Sequence, residues 1–256
     1  MTLRRFRAGL LILSASIVCA LALASSTDAQ SQLKPSSAED HLKRGNELRS
    51  KKDWDAAIAE YREALRLNPK NADAHRVLGA ALRDKGDFDG ALAEEREAVH
   101  LNPESDLAHQ QLGIALEDKG NTDGAIAEER EALHLNPKND QAHATLGVAL
   151  GNKGDLDGAI AEEREALRLN PKNDLAHNNL GGALESKGDW DGAIVELREA
   201  LRLDPKNHLA HYNLGGALQS KGDLQGALIE YRAAHTLNPE DGDYKQAYEE
   251  LLKKMK

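Results

Sequence analysis

The chain has 256 residues, of which 33 are Lys or Arg and 43 are Asp or Glu, so its formal net charge at pH 7 is −10. This acidic balance argues against a general nucleic-acid-binding protein, because such a protein needs a basic face to displace counterions from phosphates. A single cysteine excludes an internal disulfide framework and any site with several cysteine ligands. Aromatic residues make up only 4% of the chain and charged residues 30%, which favours many thin amphipathic helices over one large core.

The N-terminal segment has the features of an export signal. Three arginines precede an uncharged run, residues 8–24, which ends in Ala-Leu-Ala and is followed by polar residues. This pattern is typical of a secretory signal peptide. Residues 1–24 are therefore predicted to be a signal peptide and residues 25–37 a linker, which predicts a secreted protein or a periplasmic protein of the bacterial envelope. The alternative is an uncleaved membrane anchor formed by residues 8–24, a run at the lower limit of a spanning helix.

The rest of the chain is periodic. Every interval between neighbouring prolines is 34 residues: Pro35, Pro69, Pro103, Pro137, Pro171, Pro205 and Pro239. A period of this size indicates stacked structural repeats. Numbering each unit so that its proline is position 32 gives six predicted units: 38–71, 72–105, 106–139, 140–173, 174–207 and 208–241.

Each unit is predicted to form two helices. In the unit 140–173, apolar residues recur at helical spacing in both halves. Gly154 is placed to end the first helix, and Asp155 or Asp157 to cap the second. Pro171 stops the second helix, since proline lacks the N–H and clashes with the preceding turn. Neither helix is long enough to be stable alone in water, so the pairs are predicted to stack into an all-α solenoid.

The residues that recur in every unit resemble those of the tetratricopeptide repeat. The match consists of Leu and Gly at positions 7 and 8, Gly at 15, Ala at 20 and 27, and Pro at 32. The fifth unit shows all of them: Leu180, Gly181, Gly188, Ala193, Ala200 and Pro205. The resemblance covers residues 38–241. It implies a right-handed superhelix in which the first helices of the units line a concave groove that binds peptides or partner proteins.

The residues after the last proline are predicted to form a final amphipathic helix. Residues 242–256 place Tyr244, Tyr248 and Leu251 among lysines and glutamates. A solenoid needs such a helix to cover the apolar side of its last unit. An additional protein-binding helix is the alternative interpretation.

The resemblance also implies which residues face the groove. Asn179 and Asn213 occupy position 6, where they resemble the asparagine ladder in the repeat domain of O-linked N-acetylglucosamine transferases, which grips a peptide backbone. Independently, an asparagine amide offers both a donor and an acceptor to a peptide unit. The alternative is that these asparagines are only solvated polar residues. The predicted groove residues are Asn179, Asn213, Gly182, Gly216, Tyr212, Gln111, Ile114 and Val148.

Position 4, which is usually aromatic in the family, is histidine in all six units. Position 24 is glutamate in three of them. If Gly at position 8 opposes Ala at position 20, position 4 opposes position 24. This counting predicts three pairs: His75–Glu95, His109–Glu129 and His143–Glu163. Their protonation near neutral pH would alter the stability of these units, whereas the alternative is ordinary packing without a sensing role.

No catalytic, metal or cofactor site is predicted. Equivalent histidines lie about one helix-pair layer apart, and neighbouring helices alone pack about 8–10 Å apart, whereas zinc ligands lie about 2 Å from the ion. No Ser-His-Asp grouping stands out, and no polar residue breaks the periodicity as a catalytic residue should. We therefore expect a non-catalytic scaffold that binds an extended peptide or helix, with no nucleic acid and no small-molecule substrate. The alternative is a structural or self-assembling envelope protein, held by contacts at the repeat ends or by an uncleaved anchor.

Overall fold

The computed structural model describes residues 37–255, which form thirteen α-helices and no β-strand. The helices are α1 (Ala38–Ser50), α2 (Trp54–Leu67), α3 (Ala72–Lys85), α4 (Phe88–Leu101), α5 (Asp106–Asp118), α6 (Thr122–Leu135), α7 (Asp140–Asn152), α8 (Leu156–Leu169), α9 (Asp174–Lys187), α10 (Trp190–Leu203), α11 (His208–Ser220), α12 (Leu224–Leu237) and α13 (Gly242–Lys254). The predicted all-α class is confirmed. The predicted signal peptide and most of the predicted linker lie outside the described residues.

The helices pack as a continuous array in which every helix contacts the next one along the chain. Short turns join them, so consecutive helices run antiparallel. The odd-numbered helices α3, α5, α7, α9 and α11 also contact one another directly, and more closely than the even-numbered helices do. The odd-numbered row is therefore the inner layer and lines the concave side of the solenoid. Within residues 37–255, no helix combines the length and the apolar character needed to cross a bilayer.

The ends of the helices follow from local chemistry. Asp155 is the N-cap of α8, and its side chain accepts a hydrogen bond of 2.9 Å from the Gly158 N–H. Asp157, the other predicted cap, forms an ion pair with Lys187 of the next unit instead. Gly154 separates α7 from α8 with φ at +89°, a left-handed conformation that glycine adopts without steric cost. The caps thus satisfy backbone groups that helix ends would otherwise leave unpaired.

Lys52 is the exception among these turns. It holds φ at +61°, whereas the equivalent residue of the other units is a glycine with positive φ. Because a side chain in this region costs about 1–2 kcal/mol, Lys52→Gly is expected to raise the free energy of unfolding by about 0.5–1 kcal/mol, after the entropy that glycine adds to the unfolded chain. Urea denaturation followed by circular dichroism measures the change. Gly154→Ala is the matched reverse variant, and a stability equal to wild type in that variant would contradict the argument.

The last helix covers the end of the array. Tyr244 and Leu251 of α13 are buried against the preceding helices. The Tyr244 hydroxyl lies 3.0 Å from His208 Nδ1, and its ring centroid is 4.9 Å from that of Tyr212. Helix α13 therefore closes the apolar side of the last pair of helices, α11 and α12.

Candidate functional site in the concave groove

The histidines at position 4 form a row along the array, with contacts that differ from the prediction. In each unit His Nδ1 lies 2.6–2.7 Å from a carboxylate oxygen at position 23: His41–Glu60, His75–Glu94, His109–Glu128, His143–Glu162, His177–Glu196 and His211–Glu230. The predicted pairs His75–Glu95, His109–Glu129 and His143–Glu163 are wrong. The reason is the way the antiparallel helices cross: position 24 faces the glycine at position 8, not the histidine at position 4.

Five of these histidines also contact the preceding unit. His109 Nε2, for example, lies 3.0 Å from the carbonyl oxygen of Pro103. Both contacts are with oxygen atoms, and the two ring nitrogens of one imidazole reach both of them. At His211, the contacts with Glu230 and the Pro205 carbonyl raise the pKa against the effect of burial. These histidines thus connect each of the five units to the unit before it. A role of the histidines in sensing pH stays a prediction.

The three glutamates at position 24 are buried carboxyls. Glu95, Glu129 and Glu163 are each 1% exposed. Neither oxygen of Glu129 or Glu163 has a hydrogen-bonding partner among the described residues, and neither does Oε2 of Glu95. Burial, as the main cause, raises the pKa of each carboxyl to about 8. These groups therefore hold a proton at neutral pH and have a costly unpaired polar atom.

Two of the other three units show what position 24 accepts without this cost. Leu197 is fully buried against Gly181. Tyr61 packs on Gly45, and its hydroxyl donates a hydrogen bond of 2.7 Å to Asn46 Oδ1. The same pocket over the position-8 glycine thus holds an apolar or a satisfied side chain in some units and an unpaired acid in the others.

One cavity in the groove brings together several predicted residues. It has a volume of about 280 Å³ between α7, α8, α9 and α11, and we call it the asparagine cavity. Its lining includes Val148, Glu163, Asn178, Asn179, Gly182 and Asn213. Asn213 Nδ2 donates a hydrogen bond of 3.0 Å to Asn178 Oδ1. Asn178 was not predicted, although it occupies position 5, the same position in its unit as the predicted groove residue Tyr212.

A second cavity lies one unit earlier, between α5, α6 and α7, and has a volume of about 200 Å³. Its lining includes Ile114, Glu117, Asp118, Glu129, Thr145 and Val148, and we call it the acidic cavity. The predicted apolar floor residues Ile114 and Val148 both line it. The sequence pattern indicated this floor, but it did not indicate that three carboxyl groups converge on the same space.

Three other predicted groove residues lie elsewhere. Tyr212 packs between Tyr231 and Tyr244, with ring centroids 5.6 and 4.9 Å away. A Cβ on Gly216 would lie 2.7 Å from Glu185 Oε1, so this glycine makes room for the chain's own side chain. Gln111 is partly buried and, like Tyr212 and Gly216, lines neither of the two cavities. Among residues 37–255, no group of three potential ligands is placed to hold a metal ion.

Stacked helix pairs around a concave groove define a helical-repeat scaffold. Family models described as TPR repeat match residues 45–86 and 183–222, and models described as tetratricopeptide repeat match residues 111–174 and 209–241. Together they match more than half of the chain. The chain belongs to the tetratricopeptide repeat family, and its fold is that of a protein–protein interaction scaffold.

Solved structures agree with the family at the level of the fold. A chain of the APC/C hetero-tetramer Cut9–Hcn1 superposes with a TM-score of 0.80 at 21% identity, over 84% of this chain and 43% of its own length. TTC0263, a thermophilic TPR protein of Thermus thermophilus, has a TM-score of 0.62 at 25% identity, over 71% of this chain and 99% of its own. YrrB, a TPR protein with an unusual peptide-binding site, has a TM-score of 0.54 at 22% identity, over 74% of this chain and 97% of its own length. None of the curated proteins with which the sequence was compared matches it.

Proposed function

We propose that the protein is a non-catalytic scaffold that binds an extended peptide segment of a partner protein in its concave groove, at the asparagine cavity. The observation that carries this proposal is the convergence of four asparagine amides, those of Asn152, Asn178, Asn179 and Asn213, on one open cavity. An amide side chain matches the donor and acceptor of a peptide unit without selecting its side chain. Binding through the backbone suits an extended segment, whereas a helix has already paired its backbone groups.

The floor of the asparagine cavity leaves room for a backbone. A Cβ added to Gly182 would meet only Asn213 Nδ2, at 4.0 Å. The space above this glycine is therefore open, and a peptide can approach the inner helices closely there. Burial raises the pKa of Glu163 and the nearby amide of Asn179 lowers it, so these two polar side chains of the cavity influence each other.

Export to the periplasm or secretion is part of the proposal, and its support is the arginine-rich start and apolar run of residues 1–24. The expected partner is accordingly a protein or peptide of the envelope. We propose no nucleic-acid ligand, because the chain is acidic as a whole, with a formal net charge of −10 at pH 7.

A structural or self-assembling role is the second candidate, and two exposed side chains favour it. Val195 of α10 and Ile229 of α12 are 64% and 55% exposed at equivalent positions of neighbouring units. They lie near the C-terminal end of the array, where another copy of the chain would find an apolar patch.

Capture from an envelope extract on the immobilised full chain tests the proposed function. We expect Asn179→Ala combined with Asn213→Ala to reduce recovery of the partner by about tenfold or more, because each change removes a donor and an acceptor. Gln225→Ala, at an exposed position of α12, is the matched control. A partner retained by the double variant would place binding outside the groove. No partner, with a discrete oligomer in light scattering, would favour self-assembly.

A further inference from the structure

We propose that the acidic cavity between α5, α6 and α7 receives a lysine or arginine side chain of the peptide bound in the groove. This inference rests on the proposed function and adds a side-chain preference to it. In this arrangement the asparagine cavity binds the backbone of the peptide, whereas the acidic cavity binds the side chain of one of its residues.

Glu129 is the innermost acid of this cavity. It is 1% exposed, and neither of its carboxyl oxygens has a hydrogen-bonding partner among the described residues. A Cβ on Gly113 would lie only 2.7 Å from Glu129 Oε1. The glycine thus lets the carboxyl reach the inner layer of helices, where a ligand in the groove supplies the missing partner.

Two further carboxyl groups lie on α5 at the same cavity. Glu117 accepts hydrogen bonds through Oε1 from Asn152 and Thr122, at 2.7 and 3.3 Å, while its Oε2 has no partner among the described residues. Asp118 also lines this cavity and is exposed, and the charge of Arg83 on α3 acts on its carboxyl group. A cation in this cavity would therefore approach three acids and gain charge-assisted hydrogen bonds.

The remaining walls are apolar. Ile114 and Val148 face the cavity together with small residues of α6 and α7. A long basic side chain has an apolar stem and a charged head, so the stem contacts these walls while the head reaches the carboxyls. The volume of about 200 Å³ is several times the ~30 Å³ that one water occupies in the liquid.

Glu129 must lose its proton to pair with a cation, which costs free energy at a pH below its pKa. Burial raises the pKa of Glu129 to about 8, with a further increase from Glu128 and a decrease from the Thr145 hydroxyl of α7. Because a cation close to a carboxyl favours its ionised form, the carboxyl releases its proton to solvent as the basic side chain docks, and a carboxylate–cation pair replaces a neutral acid.

The position of the basic residue in the peptide also follows. Neighbouring units are about 10 Å apart if their helices pack normally, and an extended chain advances about 3.3 Å per residue. The acidic and asparagine cavities belong to successive units. The basic residue is therefore expected about three residues from the segment that crosses the asparagine cavity.

A displayed library of random dodecapeptides, selected on the immobilised full chain, tests the inference. We expect recovered peptides to share a lysine or arginine at one position. Replacing that residue by norleucine, which keeps the stem and removes the charge, is expected to weaken binding by about tenfold or more in fluorescence anisotropy. Glu129→Leu should cause a similar loss, whereas Glu95→Leu, the equivalent change in α4 away from this cavity, should leave affinity unchanged.

Other outcomes overturn the proposal in distinguishable ways. Peptides that bind through Asn179 and Asn213 without a shared basic residue would refute the inference and leave the proposed function intact. Basic peptides that bind Glu129→Leu as tightly as wild type would refute the site. Complete displacement of the peptide by N-acetyl-lysine amide would make the cavity a small-amine site and overturn the assignment to a peptide. Failure to recover any groove-dependent peptide would overturn the proposed function itself.

Discussion

Replacing Glu95, Glu129 and Glu163 together by leucine is expected to stabilise the protein by several kcal/mol near neutral pH. Each change removes an unpaired buried polar group, which costs about 1–3 kcal/mol, and adds apolar contacts in its place. Leu197 shows that the site accepts this residue, since it is fully buried over Gly181 as Glu163 is over Gly147. The three sites lie in successive units, so their effects should be nearly additive.

The same substitution is expected to remove most of a dependence of stability on pH. The folded-state pKa of each carboxyl is about 8, against an ordinary value of 4.5. Between these values the folded protein holds protons that the unfolded chain has lost. Wild-type stability therefore falls as pH rises from about 4.5 to about 8, by up to about 1.4 kcal/mol per pH unit for each group, and stays level at higher pH. His211, whose pKa is also raised, adds stability at low pH that is lost as pH rises through its folded-state pKa.

Urea denaturation at several values between about pH 5 and pH 8.5 measures both effects. The gain from the triple leucine substitution should be smallest at the acid end and largest at the alkaline end. Glu131→Leu changes an exposed glutamate of the same helix as Glu129 and should leave the pH profile unchanged. A gain of the same size at every pH would show that the buried carboxyls titrate alike in the folded and unfolded chain.

Two adjacent glycines of α9 are expected to respond in opposite directions to alanine. A Cβ on Gly181 would lie 2.5 Å from Leu197 Cγ. Because Leu197 is fully buried and its Cγ cannot move far, Gly181→Ala should destabilise the protein by about 1–3 kcal/mol. Gly182→Ala meets nothing closer than 4.0 Å and should stabilise the helix by up to about 1 kcal/mol.

Thermal and urea unfolding of the two alanine variants decide this prediction, and each variant serves as the control for the other. Equal effects would mean that the helix pair around Leu197 relaxes to admit a methyl group. Gly182→Ala has a second use, because its methyl group projects into the asparagine cavity. If a peptide backbone passes there, this variant should be more stable than wild type and yet bind the partner more weakly.

The unpaired carboxyls and the groove are connected by this reasoning. Glu129 and Glu163 each line a cavity on the concave side, although a leucine in their place would give a more stable protein. Natural proteins retain such local costs mainly at functional sites. The expected gain in stability and the expected loss of a basic peptide in Glu129→Leu are therefore two consequences of one arrangement.

Much of the fold follows from local sequence rules. The recurring prolines and glycines mark where helices end, and the apolar residues at helical spacing mark the buried stripe. Capping by Asp155 was one of two predicted choices, and the structure distinguishes them because Asp157 reaches Lys187 of the next unit. The repeat positions of Asn179 and Asn213 also indicate the groove, since the position of a residue within the unit determines which way it faces.

The prediction failed where the relation between two helices matters. Counting residues pairs His75 with Glu95, yet His75 contacts Glu94, and Glu95 lies over Gly79. The counting assumed a register between antiparallel helices, whereas the actual register depends on how closely the glycine at position 8 lets them approach. Tyr212 likewise could not be assigned to the core from its position alone, because its neighbour Tyr244 belongs to α13.

The sequence by itself thus determined the all-α solenoid and the period of its units. These depend on short-range chemistry: caps, breakers and the 3.6-residue turn. Only the tertiary structure decided which histidine meets which carboxylate, that three glutamates are buried with unpaired oxygens, and that two cavities open between units. Those features depend on how helix pairs cross and on the room that each side chain leaves, which no single helix specifies.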